Sequence, residues 1–343
     1  MKKLKLARLL ASFSLATLLN AAPPNLDIYW IDTEGGGATL LVAPSGESLL
    51  IDTGWRKDDR DAKRIFEVAS KKAGLKKIDY LIVTHYHADH VGGVGALSKM
   101  IPIEHFVDHG DTVENRAGTQ SAEEWAIYQE VSKGKRAQPK PGDKLPLKGV
   151  DITIVTSNGE LIDHPINNGG PNDPALCRDP VLKKQDASEN GRSVGILMQF
   201  GKFRFLDTGD VTWNKEIELV CPTNRLGKVD LYQTNHHGMD MSGAPQYINS
   251  LGFKVAVMNN GPMKGGVASY IDAVRRAPGA EDLWQLHKSL ATDDSHNTGE
   301  KFIANLGPEE GCEGHWLKAT VTPDGRYTIT NSRNNFSKTY TSR

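Results

Sequence analysis

The sequence predicts an α/β protein whose strands lead into polar, chemically reactive residues. Short apolar runs alternate with segments of helical periodicity, and the 34 glycines are scattered instead of forming a repeat. A His, Asp or Asn lies within three residues of the end of five apolar runs, which end at Val83, Val107, Leu206, Tyr232 and Met258. Because sheets flanked by helices carry their functional residues on the loops that leave the strands, we expect these polar residues to converge at one edge.

Three short strands joined by glycine-rich turns are predicted first, over 27–32, 39–42 and 48–51. Apolar spacing predicts a helix over 59–72, and the apolar run over 78–83 predicts a strand buried on both faces. The later predicted elements are a helix over 95–100, a strand over 103–107, a helix over 122–131, strands over 151–155, 194–200, 203–206, 229–232 and 255–258, a helix over 269–276, and a terminal hairpin over 316–321 and 326–330.

Residues 1–22 are predicted to form a secretory signal peptide. Four basic residues within the first eight precede an apolar stretch over 9–19, which is followed by Ala21-Ala22. An uncleaved N-terminal anchor is the alternative, and no other stretch is apolar and long enough to cross a bilayer. Removing residues 1–22 takes away four of the 41 basic residues and no acidic one, leaving 37 against 42 and a formal charge of −5. We therefore expect an exported protein without a permanent membrane span and without a strong basic surface for nucleic acid.

The three cysteines are too few and too widely spaced for a disulfide framework or a cysteine-based zinc site. An oxidising compartment permits one bridge. We expect it between Cys221 and Cys312, because that bridge would tie the C-terminal hairpin to the main domain. Cys177 is then expected to be free.

Residues 84–90 read Thr-His-Tyr-His-Ala-Asp-His and hold the strongest chemical signal in the chain. Neutral imidazole and carboxylate groups are natural zinc ligands. On a turn after a strand, residues two apart can share one direction while the residues between them serve a neighbouring position. The spacing of His85, His87, Asp89 and His90 therefore predicts binding of up to two adjacent metal ions.

Two later segments also place Asp and His residues shortly after predicted strands. Asp207-Thr208-Gly209-Asp210 follows one predicted strand and His236-His237-Gly238 follows the next, although each segment is ambiguous alone. Together with residues 84–90 they resemble the metallo-β-lactamase superfamily over roughly residues 26–290. The resemblance is closest to the hydrolase domain of bacterial competence (DNA-uptake) channel proteins, through the glycine-rich opening at 32–38, the Leu-Ile-Asp-Thr-Gly at 50–54 and the Asn190-x-x-Ser193 pattern.

This resemblance implies an αβ/βα four-layer sandwich over 23–290, with a short β-rich C-terminal extension over 291–343 packed on it. It also implies a dinuclear centre, expected to hold Zn²⁺, with Mn²⁺ or Fe²⁺ as alternatives. Asp89 would have a catalytic part as well, orienting the nucleophile. The implied ligands are His85 and His87 for the first ion, Asp89, His90 and His236 for the second, and Asp210 as the bridge between them.

The chain departs from the family pattern where a further first-site histidine is common. Residues 188–193 contain no His, so Asn190 is the expected metal-adjacent residue, through a carbonyl oxygen or a held water. A second His is missing after 259–261, where Gly265-Gly266 stands. The first site is therefore expected to be the weaker one. Residues expected to orient a ligand or contact substrate are Asp52, Asp108, His109, His237 and Arg178.

The resulting expectation is an exported hydrolase that acts through a metal-activated hydroxide on a phosphodiester or related substrate, such as a nucleotide-like molecule. Alternatives are a lactone, ester or β-lactam hydrolase, a non-catalytic metal-binding protein and a mononuclear-iron oxygenase. The polar segment over 158–190 is expected to cover the site as a loop, with the planar guanidinium of Arg178 contacting an anionic group. A flexible surface insertion is the alternative for that segment.

Overall fold

The computed structural model describes residues 25–343, so the predicted signal peptide over 1–22 lies outside the described residues. This part of the chain forms two large sheets, a small two-stranded sheet and eight α-helices. The strands are β1 (Leu26–Trp30), β2 (Thr39–Val42), β3 (Ser48–Ile51), β4 (Ile78–Ile82), β5 (Ile103–Val107), β6 (Arg136–Ala137), β7 (Lys144–Leu145), β8 (Asp151–Ser157), β9 (Glu160–Leu161), β10 (Gly170–Pro171), β11 (Gly195–Phe200), β12 (Phe203–Asp207), β13 (Thr223–Asn224), β14 (Leu231–Gln233), β15 (Val255–Met258), β16 (Asp282–His287), β17 (Ile303–Asn305), β18 (Leu317–Val321), β19 (Arg326–Asn331) and β20 (Ser337–Thr341). The helices are α1 (Arg60–Glu67), α2 (Ala88–Val91), α3 (Val94–Met100), α4 (Gln120–Ser132), α5 (Pro174–Cys177), α6 (Trp213–Val220), α7 (Pro245–Leu251) and α8 (Ala268–Arg275).

The first sheet has nine strands in the order β20-β19-β18-β1-β2-β3-β4-β5-β6. It is antiparallel from β20 to β3 and parallel from β3 to β6. The second sheet runs β17-β16-β15-β14-β12-β11-β8-β7 and is parallel from β12 to β17. The parallel strands of each sheet lead into the loops that carry the candidate site residues.

Three apolar cores separate four layers. The central core joins the two sheets and holds Trp30 of β1 and Phe205 of β12, and its buried residues include none from α1 to α8. Tyr29, the neighbour of Trp30, lies instead in a second core between the first sheet and α1, α3 and α4, as the alternation of side chains along a strand requires. A third core joins the second sheet to α6, α7 and α8. The predicted αβ/βα four-layer sandwich is confirmed.

Most of the predicted strands and helices are present, with small shifts at their ends. The predicted helix over 59–72 is α1 followed by a π-helical turn at Val68–Lys72. Elements α6, α7, β16, β17 and β20 have no counterpart among the predicted elements. Strands β18 and β19 form the predicted hairpin and extend the first sheet beside β1. The division into a domain over 23–290 and an extension over 291–343 stays a prediction.

The expected Cys221–Cys312 bridge is wrong. Cys177 and Cys221 form the disulfide, with their Cα atoms 5.5 Å apart, and Cys312 is free. The reason is local. Asn172 Nδ2 donates to the Val220 carbonyl, and β10 pairs with β13, so the segment around α5 is held against the end of α6. Within residues 25–343, no helix has the length and apolarity that crossing a membrane requires.

Candidate metal centre

The loops that follow β4, β12 and β14 meet at one buried point between the sheets. The His85–His90 segment follows β4, Asp210 follows β12, and His236 and His237 lie in a 3₁₀ turn after β14. The expected convergence of strand-end residues is therefore observed for these three loops. Because the strands are short, buried and parallel here, the positions of these loops are set by the sheets themselves.

Four side chains form the tightest cluster at this point, and their ligand atoms all lie within 4.8 Å of one another. His90 Nε2 lies 3.1 Å from Asp89 Oδ2 and 3.2 Å from Asp210 Oδ2. His237 Nε2 lies 3.1 Å from Asp89 Oδ2 and 3.5 Å from Asp210 Oδ2. All four residues are buried. The cluster therefore offers two imidazole nitrogens and two carboxylates around one position.

His85 and His87 lie together on one side of this cluster. Nε2 of His85 is 3.0 Å from Nδ1 of His87 and 3.9 Å from Asp210 Oδ2. Nε2 of His87 also approaches the Glu114 carboxylate, with 3.3 Å to Oε2. The structure thus places His85 beside Asp210, with His87 next to His85.

His236, the expected second-site ligand, and His237 both lie near Asp210, each with Nε2 3.5 Å from Asp210 Oδ2. His237 also belongs to the four-residue cluster. Both residues have left-handed backbone conformations, with φ of 52° and 55°. His237 Nδ1 lies 3.2 Å from the Asn259 carbonyl oxygen, which orients Nε2 towards the cluster.

Asp52 orients His90 from behind. Its Oδ2 accepts from Nδ1 of His90 at 2.7 Å, and its carboxylate also accepts from the backbone N–H and hydroxyl of Thr84 at 2.8 Å each. A carboxylate on the far nitrogen fixes the tautomer and increases the basicity of a ligand imidazole. The expected orienting position of Asp52 thus agrees with its contacts.

Gly37 makes room for this pair. A Cβ on Gly37 would lie 2.8 Å from Asp52 Oδ2 and 3.0 Å from His90 Nδ1, which is too close for any side chain. The backbone N–H of Gly37 donates to the Asp89 carbonyl at 2.9 Å. The glycine-rich loop after β1 therefore lies directly against the candidate ligands and supports them from the first sheet.

Burial and the nearby carboxylates shift the pKa values of His85 and His90 in opposite directions. Burial and the nearby His90 hold the pKa of His85 well below its ordinary value, so His85 is a neutral imidazole. Burial also opposes charge on His90, but Asp210, Asp89 and Asp52 outweigh it and raise its pKa well above the ordinary value. Burial works against the charged carboxylates too, yet His90 holds the pKa of Asp210 well below its usual range. The buried carboxylates of Asp89 and Asp210 therefore favour a positive charge at this point.

Residues 32–172 match the profile of the Metallo-beta-lactamase superfamily. Over these residues the chain is similar to the metallo-β-lactamase superfamily. It is 24% identical over 252 residues to ComE operon protein 3 of Bacillus subtilis (strain 168), which covers 68% of this chain and 28% of that protein. It is 23% identical over 255 residues to Recombination protein 2 of Haemophilus influenzae, covering 74% of this chain and 26% of that protein. The chain thus spans about a quarter of the length of these curated relatives.

Two further matches are more distant. The chain is 25% identical over 179 residues to Ribonuclease Z of Methanopyrus kandleri, covering 50% of this chain and 60% of that protein. Igni18, a metallo hydrolase of Ignicoccus hospitalis, is 16% identical with a TM-score of 0.40, and the match covers 75% of this chain and 94% of the other.

The side chains of the four-residue cluster and of His85 and His87 are of the kinds that bind metal ions. Imidazole nitrogen and carboxylate oxygen are the ligands preferred by zinc and similar divalent ions. His90 Nε2 and His237 Nε2 lie 3.1 Å apart. Two neutral imidazole nitrogens that face each other with lone pairs repel, so this distance requires a cation or a proton between them. His85, His87, Asp89, His90, Asp210 and His237 are the residues placed to hold ions, with His236 beside Asp210.

Asn190 is linked to His85 through Ser193. Its side chain is buried, and Oδ1 has no hydrogen-bond partner. Its backbone carbonyl accepts from the Ser193 hydroxyl, whose oxygen lies 3.4 Å from His85 Nδ1. A buried amide oxygen without a partner costs free energy unless another group satisfies it. The position of Asn190 is therefore consistent with the metal-adjacent part expected for it.

Asp108 and His109 form hydrogen bonds with residues outside the four-residue cluster. The Asp108 carboxylate accepts from Arg136 at 2.8 and 2.9 Å and from the Tyr128 hydroxyl at 2.7 Å. His109 Nε2 donates to Glu189 at 2.8 Å. These contacts hold the loop after β5, and within residues 25–343 neither residue forms a hydrogen bond or ion pair with the four-residue cluster.

Lys264 is the site residue that the sequence analysis missed. Its Nζ contacts Asp89 Oδ2, and it lies 5.0 Å from the centre of the Trp55 ring. The backbone of its loop is held between two glycines: a Cβ on Gly35 would lie 3.0 Å from the Lys264 Cβ, and one on Gly265 only 2.1 Å from the His237 carbonyl. The sequence signal was present in the Gly-Pro-Met-Lys-Gly-Gly after β15, which places a single lysine at a strand exit.

The segment over 158–190 packs along α6 before it reaches the site. The disulfide fixes it at Cys177, Trp213 Nε1 donates to the Val181 carbonyl at 2.8 Å, and Lys183 contacts the Asp240 carbonyl close to the His237 turn. Arg178 is exposed. The structure thus fixes the loop against α6 and leaves a contact of Arg178 with substrate as a proposal.

Proposed function

We propose that this protein is an exported metal-dependent hydrolase that cleaves a phosphodiester or a related anionic substrate. The observation that carries the proposal is the buried group of imidazoles and carboxylates around Asp210, supported from behind by Asp52. A bound metal ion lowers the pKa of its water towards 7 and so supplies hydroxide at neutral pH. The similarity to the superfamily supports metal-dependent hydrolysis as the reaction class.

The chain's own residues supply orientation and charge. Asp89, whose carboxylate contacts His90, His237 and Lys264, is positioned to accept a hydrogen bond from the attacking water. Asp52 keeps His90 oriented through its 2.7 Å bond. Lys264 is the cation nearest to Asp89 and is partly exposed, with 28% of its side chain accessible, so it can pair with an anionic group of a substrate.

Two observations favour a phosphodiester over a neutral ester. Lys264 places a positive charge beside the catalytic cluster, where a phosphoryl oxygen would approach. Among the similar proteins, Ribonuclease Z is named for action on RNA. The formal charge of the full chain is −1, so recognition would depend on this local cation and the metal ions, as expected for a small or nucleotide-like substrate.

The experiment is metal analysis followed by a substrate panel of bis-nitrophenyl phosphate, a lactone and a chromogenic cephalosporin. We expect two bound divalent ions and turnover of the phosphodiester alone, lost in Asp210→Asn. Asp151→Asn is the matched control, because Asp151 is exposed on β8 and pairs only with Lys144. Turnover confined to the lactone or cephalosporin would contradict the substrate class. Two bound ions without turnover would favour a non-catalytic protein, and one bound iron an oxygenase.

Export is supported by the Cys177–Cys221 disulfide, since such bridges persist in oxidising compartments. Fusing residues 1–30 to a reporter enzyme that is active only outside the cytoplasm tests it. Activity of the fusion, lost when the basic residues at the start are replaced, is expected. An inactive fusion with normal expression would contradict export.

A further inference from the structure

We propose that the chain holds a separate structural zinc-type site formed by Asp32, Glu34, His287 and Cys312. One ligand atom from each of these four residues lies within 4.8 Å of the others. The group, named here the Cys312 site, shares no residue with the candidate catalytic cluster. It combines thiolate, imidazole and carboxylate donors, which is a set that zinc accepts.

The four residues come from three parts of the fold. Asp32 and Glu34 lie in the loop after β1 of the first sheet, and His287 ends β16 of the second sheet. Cys312 lies in the segment between β17 and β18, which crosses from the second sheet to the first. An ion at this point would fasten both sheets and the C-terminal crossing together. Four protein ligands would leave the ion no open position, as in a structural site.

The distances match the size of such a site. With zinc-to-ligand bonds of about 2.0–2.3 Å, the ligand atoms of a tetrahedral site are separated by roughly 3.3–3.8 Å. His287 Nε2 lies 3.3 Å from Glu34 Oε2, and Cys312 Sγ lies 3.4 Å from Asp32 Oδ2. The contact between His287 Nε2 and Asp32 Oδ1 is shorter, at 2.7 Å, and is a hydrogen bond that an ion would replace.

One side chain directed into the group is incompletely satisfied. Only 2% of the Glu34 side chain is exposed, and its Oε2 has no hydrogen-bond partner. Burying a carboxylate oxygen without a partner is costly. Its neighbour within the group is His287, which is fully buried. A cation bound between them would supply the interaction that Glu34 Oε2 lacks.

The charges also leave room for a divalent ion. Arg64 Nη1 donates to Asp32 Oδ2 at 2.8 Å and to Glu34 Oε1 at 3.0 Å, so one guanidinium faces two buried carboxylates. With Cys312 as thiolate, the group has a formal charge of −2 after Arg64 is counted. A divalent ion brings this to zero, as a buried site requires. Cys312 is only partly buried, which leaves a path for the ion to enter.

Cobalt(II) tests this proposal, because a thiolate bound to cobalt gives a sulfur-to-metal charge-transfer band in the near ultraviolet. The catalytic cluster contains no sulfur, and Cys177 and Cys221 are joined in the disulfide, so Cys312 is the one thiol that can produce the band. We expect the cobalt-loaded protein to show it. Cys312→Ser should abolish the band and remove one equivalent of cobalt, while the bands of the catalytic cluster remain.

Two further variants distinguish the two sites. Asp210→Asn should disturb the catalytic cluster and leave the charge-transfer band intact, whatever the enzyme hydrolyses. His287→Gln should remove or strongly weaken the band. No band at saturating cobalt would overturn the proposal, and so would a band unchanged in His287→Gln, since the thiolate would then bind cobalt without the rest of the group.

Discussion

Glu189 is the residue whose replacement should show how the metal-binding loop is held. Its carboxylate is fully buried and accepts four hydrogen bonds. Oε1 accepts from the Thr112 hydroxyl and the Val113 N–H at 2.7 Å each, while Oε2 accepts from His109 Nε2 at 2.8 Å and the Tyr86 N–H at 3.1 Å. Tyr86 lies between His85 and His87. Glu189 therefore connects the metal-binding segment to the loop after β5.

Glu189→Gln should lower the free energy of unfolding by about 3 kcal/mol. One carboxylate oxygen becomes an NH₂ group, which faces two donors and cannot accept from them, and the negative charge is lost. Burial opposes that charge, but the hydrogen bond from His109 and its neighbours prevail and hold the pKa of Glu189 at about 2, against an ordinary 4.5. A difference of that size corresponds to about 3 kcal/mol. Loss of charge-assisted hydrogen bonds at about 1.5–3 kcal/mol each gives the same order.

Urea denaturation of the metal-free proteins at pH 7 measures this loss. Glu160→Gln is the matched control, because Glu160 is exposed in the short strand β9, and it should change stability by less than about 0.5 kcal/mol. The lowered pKa means that the contribution is complete above pH 4.5 and disappears as the pH falls towards 2. The difference between wild type and Glu189→Gln should shrink over that window. A loss below about 1 kcal/mol at pH 7, or one independent of pH, would refute the reasoning.

Three other predictions concern the centre itself. Asp210→Ala should reduce bound metal below the level of any single histidine variant, because two ions would lose a shared carboxylate; equal metal content by emission spectroscopy would contradict bridging. Asn190→His should tighten the first site, since imidazole is a stronger zinc ligand than an amide oxygen, and titration against a competing chelator would show whether it does. Lys264→Ala should raise KM for an anionic phosphodiester about tenfold, the effect of about 1.4 kcal/mol, while Lys264→Arg retains most of the affinity. Unchanged KM in Lys264→Ala would remove Lys264 from substrate binding.

The sequence was sufficient for the parts of the site that are local in the chain. The candidate ligands within residues 84–90 are close in sequence, so their spacing is visible in the chain itself. Asp210 follows a strand that can be recognised from its apolar residues. Those positions could be predicted because strand direction decides where a following loop lies. The four-layer arrangement was expected from the resemblance to the metallo-β-lactamase superfamily.

Other features depend on contacts between distant residues. The choice between His236 and His237 depends on two successive left-handed residues, which a strand pattern does not encode. Lys264 reaches Asp89 only because two glycine-rich loops lie against each other. Cys177 and Cys221 meet because α5 lies at the end of α6, and α6 itself was not predicted. Each miss therefore reflects packing between segments that the sequence separates widely.

The position of β1 has a consequence for the order of folding. This strand lies between β2 and β18, and Leu26 pairs with Val321, so one edge of the strand has no partner until β18 is available. During vectorial synthesis or transport, an apolar strand with one open edge would remain exposed for that time, which favours intermolecular pairing. A circular permutant that joins the last strand directly to the first would make this contact local, and its refolding should be faster at equal stability. The architecture thus makes the completion of the first sheet around β1 depend on β18, a strand distant in sequence.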